Sequence, residues 1–145
     1  MAVISKKIIH GFLILISFVL FSCDGNVLKI LNRELSKADN VKIYFYDKST
    51  GKVPGAGHVA SINDPDEVKH FLTTITEEDF NKRQDCIYNG SIEFFSGNNS
   101  IMNMEFNMES QCGFVIFKIR DVMQSKKLSE EGVKLLNFYY SKIAN

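Results

Sequence analysis

Apolar and polar side chains alternate strictly along residues 101–108. The apolar positions are Met102, Met104, Phe106 and Met108, and the polar positions between them are Asn103, Glu105 and Asn107. A period of two predicts a β-strand with one face buried and the other in water. Residues 41–47 alternate in the same way, with Val41, Ile43 and Phe45 on one face. Apolar and β-branched content predicts further strands over 86–95 and 113–119, and a short one over 58–62.

Two other segments carry apolar residues at the spacing of a helix. The first begins with Asp64 as N-cap and Pro65 at the first helical position, and an apolar stripe follows as far as Ile75. This pattern predicts a helix that ends near Thr76, just ahead of three acidic residues. The second segment covers residues 129–143, where a capping serine precedes a broad apolar face that we expect to cover the sheet.

Taken together, the elements follow the order β-(β)-α-β-β-β-α. Each amphipathic element must bury one side. We therefore expect an α+β fold, in which an antiparallel meander of about four strands carries two helices on one face. Residues 41–145 are long enough to form a single domain of this kind.

The first 22 residues have a different pattern. Lys6 and Lys7 precede an apolar run over residues 8–21, and these 14 residues are fewer than the roughly 20 that span a bilayer. A positive start, a short apolar stretch and a small residue before a cysteine are typical of a signal peptide. The segment therefore predicts export from the cytoplasm.

The end of this segment, Leu20-Phe21-Ser22-Cys23, resembles the lipobox of bacterial lipoproteins. In that family the cysteine thiol is joined to a diacylglycerol, the chain is cut before the cysteine, and the new amino group is usually acylated. The resemblance implies that residues 1–22 are a signal peptide and that Cys23 carries lipid. It also implies a domain in the cell envelope, outside the cytoplasm and anchored to the inner or outer membrane. The alternative is a secreted protein that is cut near Cys23 without a lipid.

Segments farther along the chain extend this resemblance. Residues 63–68, 88–94 and 128–131 are similar to segments of small uncharacterised lipoproteins of the Bacteroidetes type, which implies a fold and an envelope location but no activity. On this interpretation residues 23–40 are a lipid-anchored tether. The spacing of Leu28, Leu31 and Leu35 also permits a short helix there.

The balance of basic and acidic residues limits the classes of partner that the protein is expected to bind. Lys6 and Lys7 are the only Lys, Arg, Asp or Glu residues among the first 22, so 15 basic and 17 acidic residues remain after cleavage. This near-neutral balance gives no electrostatic reason to expect nucleic-acid binding. The expected partners are the membrane, through the lipid, and an envelope protein.

Two cysteines remain once Cys23 is assigned to the lipid. Because an exported chain meets an oxidising compartment, we predict a disulfide between Cys86 and Cys112. A fully paired strand between them would hold them about 9–10 Å apart, beyond the roughly 7 Å limit for a bridge. At least one cysteine must therefore leave its strand. The alternatives are two buried free thiols or a redox site, although no Cys-x-x-Cys motif is present.

No motif in the chain indicates catalysis, a cofactor or a metal ion. We therefore predict a protein that is not an enzyme, a non-catalytic binding module. The predicted partner-binding residues are Tyr44, Tyr46, Asn103, Glu105 and Asn107. Two alternatives stay open. One is a small inhibitor of a periplasmic enzyme with a protruding loop over 48–57, and the other is an envelope enzyme with an unrecognised site near His58 or His70.

Overall fold

The computed structural model describes residues 26–47, 49–50, 52, 58–81 and 85–143. These residues form three helices and seven strands. In chain order they are α1 (Val27–Leu35), β1 (Asn40–Phe45), β2 (Val59–Ile62), α2 (Pro65–Thr73), β3 (Ile75–Asp79), β4 (Gly90–Ser96), β5 (Asn99–Asn107), β6 (Phe114–Ile119), β7 (Val122–Leu128) and α3 (Glu130–Ile143).

All seven strands pair antiparallel in one sheet, in the order β2-β1-β4-β5-β6-β7-β3. The expected α+β class and antiparallel sheet are confirmed. The expected size is corrected, because the described residues contain seven strands and three helices instead of about four strands and two helices. The consecutive strands β4 to β7 form the predicted kind of meander, and the other three strands widen it on both sides.

The two strands at one edge of the sheet, β3 and β7, do not show a clear alternation of apolar and polar residues, because both are rich in charged residues. β3 carries Glu77, Glu78 and Asp79, and β7 carries Lys126 and Lys127. Lys126 is nevertheless buried. Its Nζ lies 2.5 Å from a carboxylate oxygen of Asp79 and donates to the Glu77 carbonyl at 3.0 Å. An ion pair with a further hydrogen bond lets a lysine occupy a position that a hydrophobic pattern assigns to solvent.

Three helices cover one face of the sheet. α1 contacts β3, β5 and β6, α2 contacts β1, β2 and β3, and α3 contacts β2 and β7. Leu31 and Leu35 of α1 lie in the same core as Phe71 of α2 and Leu136 of α3. The residues from Val27 onward therefore pack with the sheet, within the segment expected to form the tether.

The start of α2 follows the predicted chemistry. The Asp64 side chain accepts a hydrogen bond from the Asp66 backbone N–H at 2.8 Å, and Pro65 is the first helical residue. The helix ends at Thr73, and the backbone enters β3 at Ile75. The predicted end near Thr76 is thus slightly late, because Ile75 pairs with Leu128 of β7.

A crossover segment between β3 and β4, of which residues 80–81 and 85–89 are described, lies on the face of the sheet opposite the helices. β3 is an edge strand and β4 is central, so the chain passes β7, β6 and β5 between them. Phe80 stacks on Phe114 of β6 with ring centroids 4.6 Å apart, and Tyr88 meets the same ring edge-on at 5.9 Å. These contacts form a small second core, separate from the core under the helices.

A disulfide between Cys86 and Cys112 closes this second core. The two Cα atoms are 5.8 Å apart, and the predicted pairing is confirmed. Both cysteines lie outside the strands, since Cys86 precedes β4 and Cys112 precedes β6. Leaving the strands removes the two-strand separation that would otherwise keep the sulfurs apart.

Candidate binding surfaces

The part of the sheet face that the crossover segment leaves uncovered is called here the open face. It is defined by Lys42, Tyr44, Glu93, Asn103 and Glu105. The register places Glu93 between Lys42 and Asn103, and it places Ser91 between Tyr44 and Glu105. Since neighbouring strands lie about 4.8 Å apart, these side chains form a patch about 10 Å wide across β1, β4 and β5.

Contacts between neighbouring strands hold the aromatic and charged groups of the open face in place. The Tyr44 hydroxyl donates to a carboxylate oxygen of Glu93 at 3.3 Å. Burial raises the pKa of Tyr44 above its usual value, and the nearby Glu93 carboxylate raises it further. The Lys42 ammonium lies 5.0 Å from the centre of the Phe95 ring. Side chains that are already fixed lose less conformational entropy when a partner binds.

Three of the five predicted partner-binding residues lie together on the open face. Tyr44, Asn103 and Glu105 point to the same side of the sheet, and Asn103 is exposed. The alternation of β1 and β5 predicts this common orientation. The prediction did not include Glu93, because the pairing of β1 with β4 joins segments that are far apart in the chain.

Asn107 corrects the prediction of an exposed binding residue. It is fully buried, its side-chain amide donates to the Ile87 carbonyl at 2.5 Å, and its oxygen accepts from the Glu109 backbone N–H at 2.8 Å. The alternation of β5 does point Asn107 away from the helices. The crossover segment covers that part of the sheet, which no local pattern of β5 could reveal.

Tyr46 follows the last residue of β1, so the alternation of that strand no longer determines where its side chain lies. It lines a cavity of about 760 Å³ at the end of the sheet, called here the end cleft. The end cleft is also lined by His58, Met108, Gln111 and Tyr140. Its volume is in the range of small-molecule sites, roughly 300–1,000 Å³.

Hydrogen bonds and ring packing shape the walls of the end cleft. The Tyr140 ring packs against Phe45 with centroids 5.2 Å apart. The Asn137 side chain donates to the Val133 and Met108 carbonyls at 2.8 and 3.3 Å. Asp47 accepts hydrogen bonds from the Ser49 side chain and from the backbone of the following turn, and these lower the pKa of its carboxyl group. The residue after Gln111 is Cys112, so the disulfide anchors one wall.

The two histidines of the described residues, His58 and His70, lie at different places. His58 borders the end cleft beside Tyr140. His70 is exposed on α2, and its Nε2 lies 3.4 Å from a carboxylate oxygen of Glu131. Glu131 and Tyr140 are separated by about 13 Å along α3, at 1.5 Å per residue. In the described part of the chain, no group of three or more His, Cys, Asp or Glu side chains is arranged to hold a metal ion.

Several predictions concern residues outside the described ranges. Residues 1–25, which include the signal peptide and the lipidation site at Cys23, belong to this group, as does most of the loop over 48–57. Among the residues that the structure does describe, no helix has the length and apolarity to cross a membrane.

Comparison of the chain with protein-family models, with curated proteins and with solved structures gave no match. The interpretation of its function therefore depends on its own residues and geometry.

Proposed function

We propose that this protein is a lipoprotein of the cell envelope, anchored through Cys23, whose domain binds another envelope protein through the open face without catalysing a reaction. The arrangement of Lys42, Tyr44, Glu93 and Asn103 carries the binding part of this proposal. Tyrosine with fixed polar neighbours is characteristic of interface centres, where a rigid ring gives a large contact area at low entropic cost.

The disulfide supports the location part of the proposal. Structural disulfides persist in oxidising compartments and are rare in the cytosol. The Cys86–Cys112 bridge closes the second core and anchors a wall of the end cleft, so the domain depends on an environment that keeps it oxidised. Export through the predicted signal peptide would supply that environment.

The position at which α1 begins limits the distance between an anchored domain and the membrane. Val27 is the fourth residue after Cys23, and an extended chain spans at most about 3.5 Å per residue. The lipid-bearing residue would thus lie within about 14 Å of the packed domain. An anchor of this length keeps the domain next to the bilayer surface, where it can meet only partners that are themselves close to the membrane.

Replacing Cys23 with serine should prevent the lipid from being attached to the protein. Serine cannot form the thioether that joins the cysteine to the diacylglycerol. Without the two acyl chains of the diacylglycerol, the apolar burial that gives stable membrane attachment is lost. We expect the parent chain in the membrane pellet after fractionation and the Cys23→Ser variant uncleaved or in the soluble envelope fraction.

The matched control is Ser22→Ala, which keeps a small residue before the cysteine and should behave like the parent. Intact mass of the extracted protein reports the lipid directly. A Cys23→Ser variant that is cut and pelleted as the parent is would contradict the anchor but leave partner binding untouched.

Tyr44→Ala should weaken binding of the envelope partner by about 30-fold or more, the loss typical of a central aromatic residue at an interface. The partner would be captured by cross-linking in intact cells and its binding then measured with purified domain. Tyr46→Ala is the matched control, because it removes the same side chain from the end cleft and leaves the open face intact.

Thermal unfolding would show that both variants are folded. Loss of binding in Tyr46→Ala but not in Tyr44→Ala would move the site to the end cleft and contradict the open-face assignment. Equal binding by parent and both variants would reject both surfaces.

A further inference from the structure

We propose that two copies of this protein associate through their β2 strands, which pair antiparallel around Ser61 and join two sheets edge to edge. The contact lies at one edge of the sheet. It holds or fails independently of the lipid anchor and of the open face.

The two edges of the sheet differ in how they resist pairing. Exposed edge strands are open to pairing with other chains, and proteins block them with charges, bulges or cover. β3 has this protection. Its register against β7 shifts between Ile75 and Asp79, and the residues at the irregularity include the exposed acids Glu77 and Glu78.

β2 lacks both the charges and the irregular register of β3. Its sequence is Val59-Ala60-Ser61-Ile62, without charge or proline, and all four residues pair in regular register with β1. Ala60 and Ile62 are buried toward the helices, and Ser61 is exposed on the side of the open face. Among the described strands, β2 has a neighbour on one side only. Its outer edge is therefore the flat and uncharged edge of this sheet.

Symmetry restricts how β2 can pair with itself. Two identical strands pair antiparallel about a two-fold axis perpendicular to the sheet, and the isologous contact closes at two copies. Directly opposed residues of an antiparallel pair point to the same face. The axis must then pass midway between a residue and its own counterpart in the other copy, so that Ala60 faces Ala60 or Ser61 faces Ser61.

The register centred on Ser61 places the more compatible side chains opposite one another. It sets Ser61 against Ser61, where two hydroxyl groups can hydrogen-bond, and it sets Ala60 against Ile62, which both face the core side. It also brings His58 opposite Asp64, a residue exposed to solvent beyond the end of β2. Centring on Ala60 would instead oppose His58 to the apolar Ile62. The matching of charged and polar residues therefore favours association with a second copy of this chain in the register centred on Ser61.

A four-residue strand gives a small interface, so we expect association that depends on concentration. Pairing would place the open faces of both copies on one side of a continuous sheet. Each copy would then present its binding patch next to that of its counterpart.

Engineered cysteines test the register. Cα atoms of directly opposed residues lie about 4.5–5.5 Å apart, within disulfide range. Ser61→Cys should therefore form a covalent dimer when the full-length, membrane-anchored protein is oxidised with copper phenanthroline. Val59→Cys is the matched control. It lies on the same strand and face, but its counterpart is four residues away, about 13 Å.

The expected result is a dimer band on a non-reducing gel at least 10-fold stronger for Ser61→Cys than for Val59→Cys and for the parent chain. Equal cross-linking of both cysteines would indicate random collision and would overturn the proposal, as would no dimer above the parent level. Sedimentation of Ser61→Lys and Ser61→Thr gives a second readout. Two opposed lysines repel, so Ser61→Lys should be monomeric at concentrations where Ser61→Thr dimerises, and identical behaviour of the two would also overturn the proposal.

Discussion

Replacing both Cys86 and Cys112 with serine is expected to lower the free energy of unfolding by about 3–4 kcal/mol. The bridge joins residues separated by 26 positions, and closing a loop of that length removes a corresponding amount of chain entropy from the unfolded state. The loss is large because a domain of this size is stabilised by only about 5–15 kcal/mol. Urea unfolding followed by circular dichroism would measure it.

The double variant avoids a lone thiol that could pair with another chain. The parent treated with dithiothreitol is the matched comparison, and it should lose a similar amount of stability. A local effect should accompany the loss. The stack of Phe80 on Phe114 is held by the same crossover segment, so the near-ultraviolet signal of the aromatic residues should weaken. A change in stability below about 1 kcal/mol would contradict a structural role for the bridge.

Gly90→Ala is expected to destabilise the fold by about 3 kcal/mol or more, the upper range for an overpacked core position. Gly90 is the first residue of β4 and is buried where β1 and β5 approach it. An added Cβ would lie 2.1 Å from the Tyr44 carbonyl oxygen and 2.6 Å from a ring carbon of Phe106. The carbonyl belongs to a paired strand, so it cannot move without breaking the pairing of β1 with β4.

Gly97→Ala provides the comparison that isolates this clash. Gly97 has a φ of +58° and no atom within 4 Å of an added Cβ, so alanine there costs only the left-handed backbone strain, about 1 kcal/mol. Chemical denaturation of both variants gives the difference. Similar losses for the two would contradict the argument that close packing at Gly90 holds β1, β4 and β5 together.

The central meander and the two predicted helices follow from local patterns. Alternation places Met104 and Phe106 in the core, and the Asp64-Pro65 pair marks the start of α2 in the sequence as in the structure. These features depend on residues within one turn or one strand. Periodicity and capping preferences act at that range, which is why sequence alone predicts them.

What the pattern did not predict depends on contacts between distant segments. From the sequence alone, Lys126 is expected to be exposed to solvent, whereas the structure places Asp79 beside it. The alternation of β5 predicts that Asn107 is exposed, whereas the structure shows that the crossover segment covers it. The bridge from Cys86 to Cys112 was predicted because two cysteines remain for pairing, and the geometric objection to it disappears once both leave the strands. The open face was predicted only in part for the same reason, since its other members come from the pairing of β1 with β4.

The strand order also has a consequence for how the chain is made. Ribosomes release β1, β2 and β3 first, yet β1 pairs with β4 and β3 pairs with β7, which are synthesised later. Long-range pairings of this kind close slowly, because loop entropy is lost before contacts compensate for it. The part of the chain that is synthesised first therefore has one side of β1 and the whole of β3 unpaired until β4 and β7 are made.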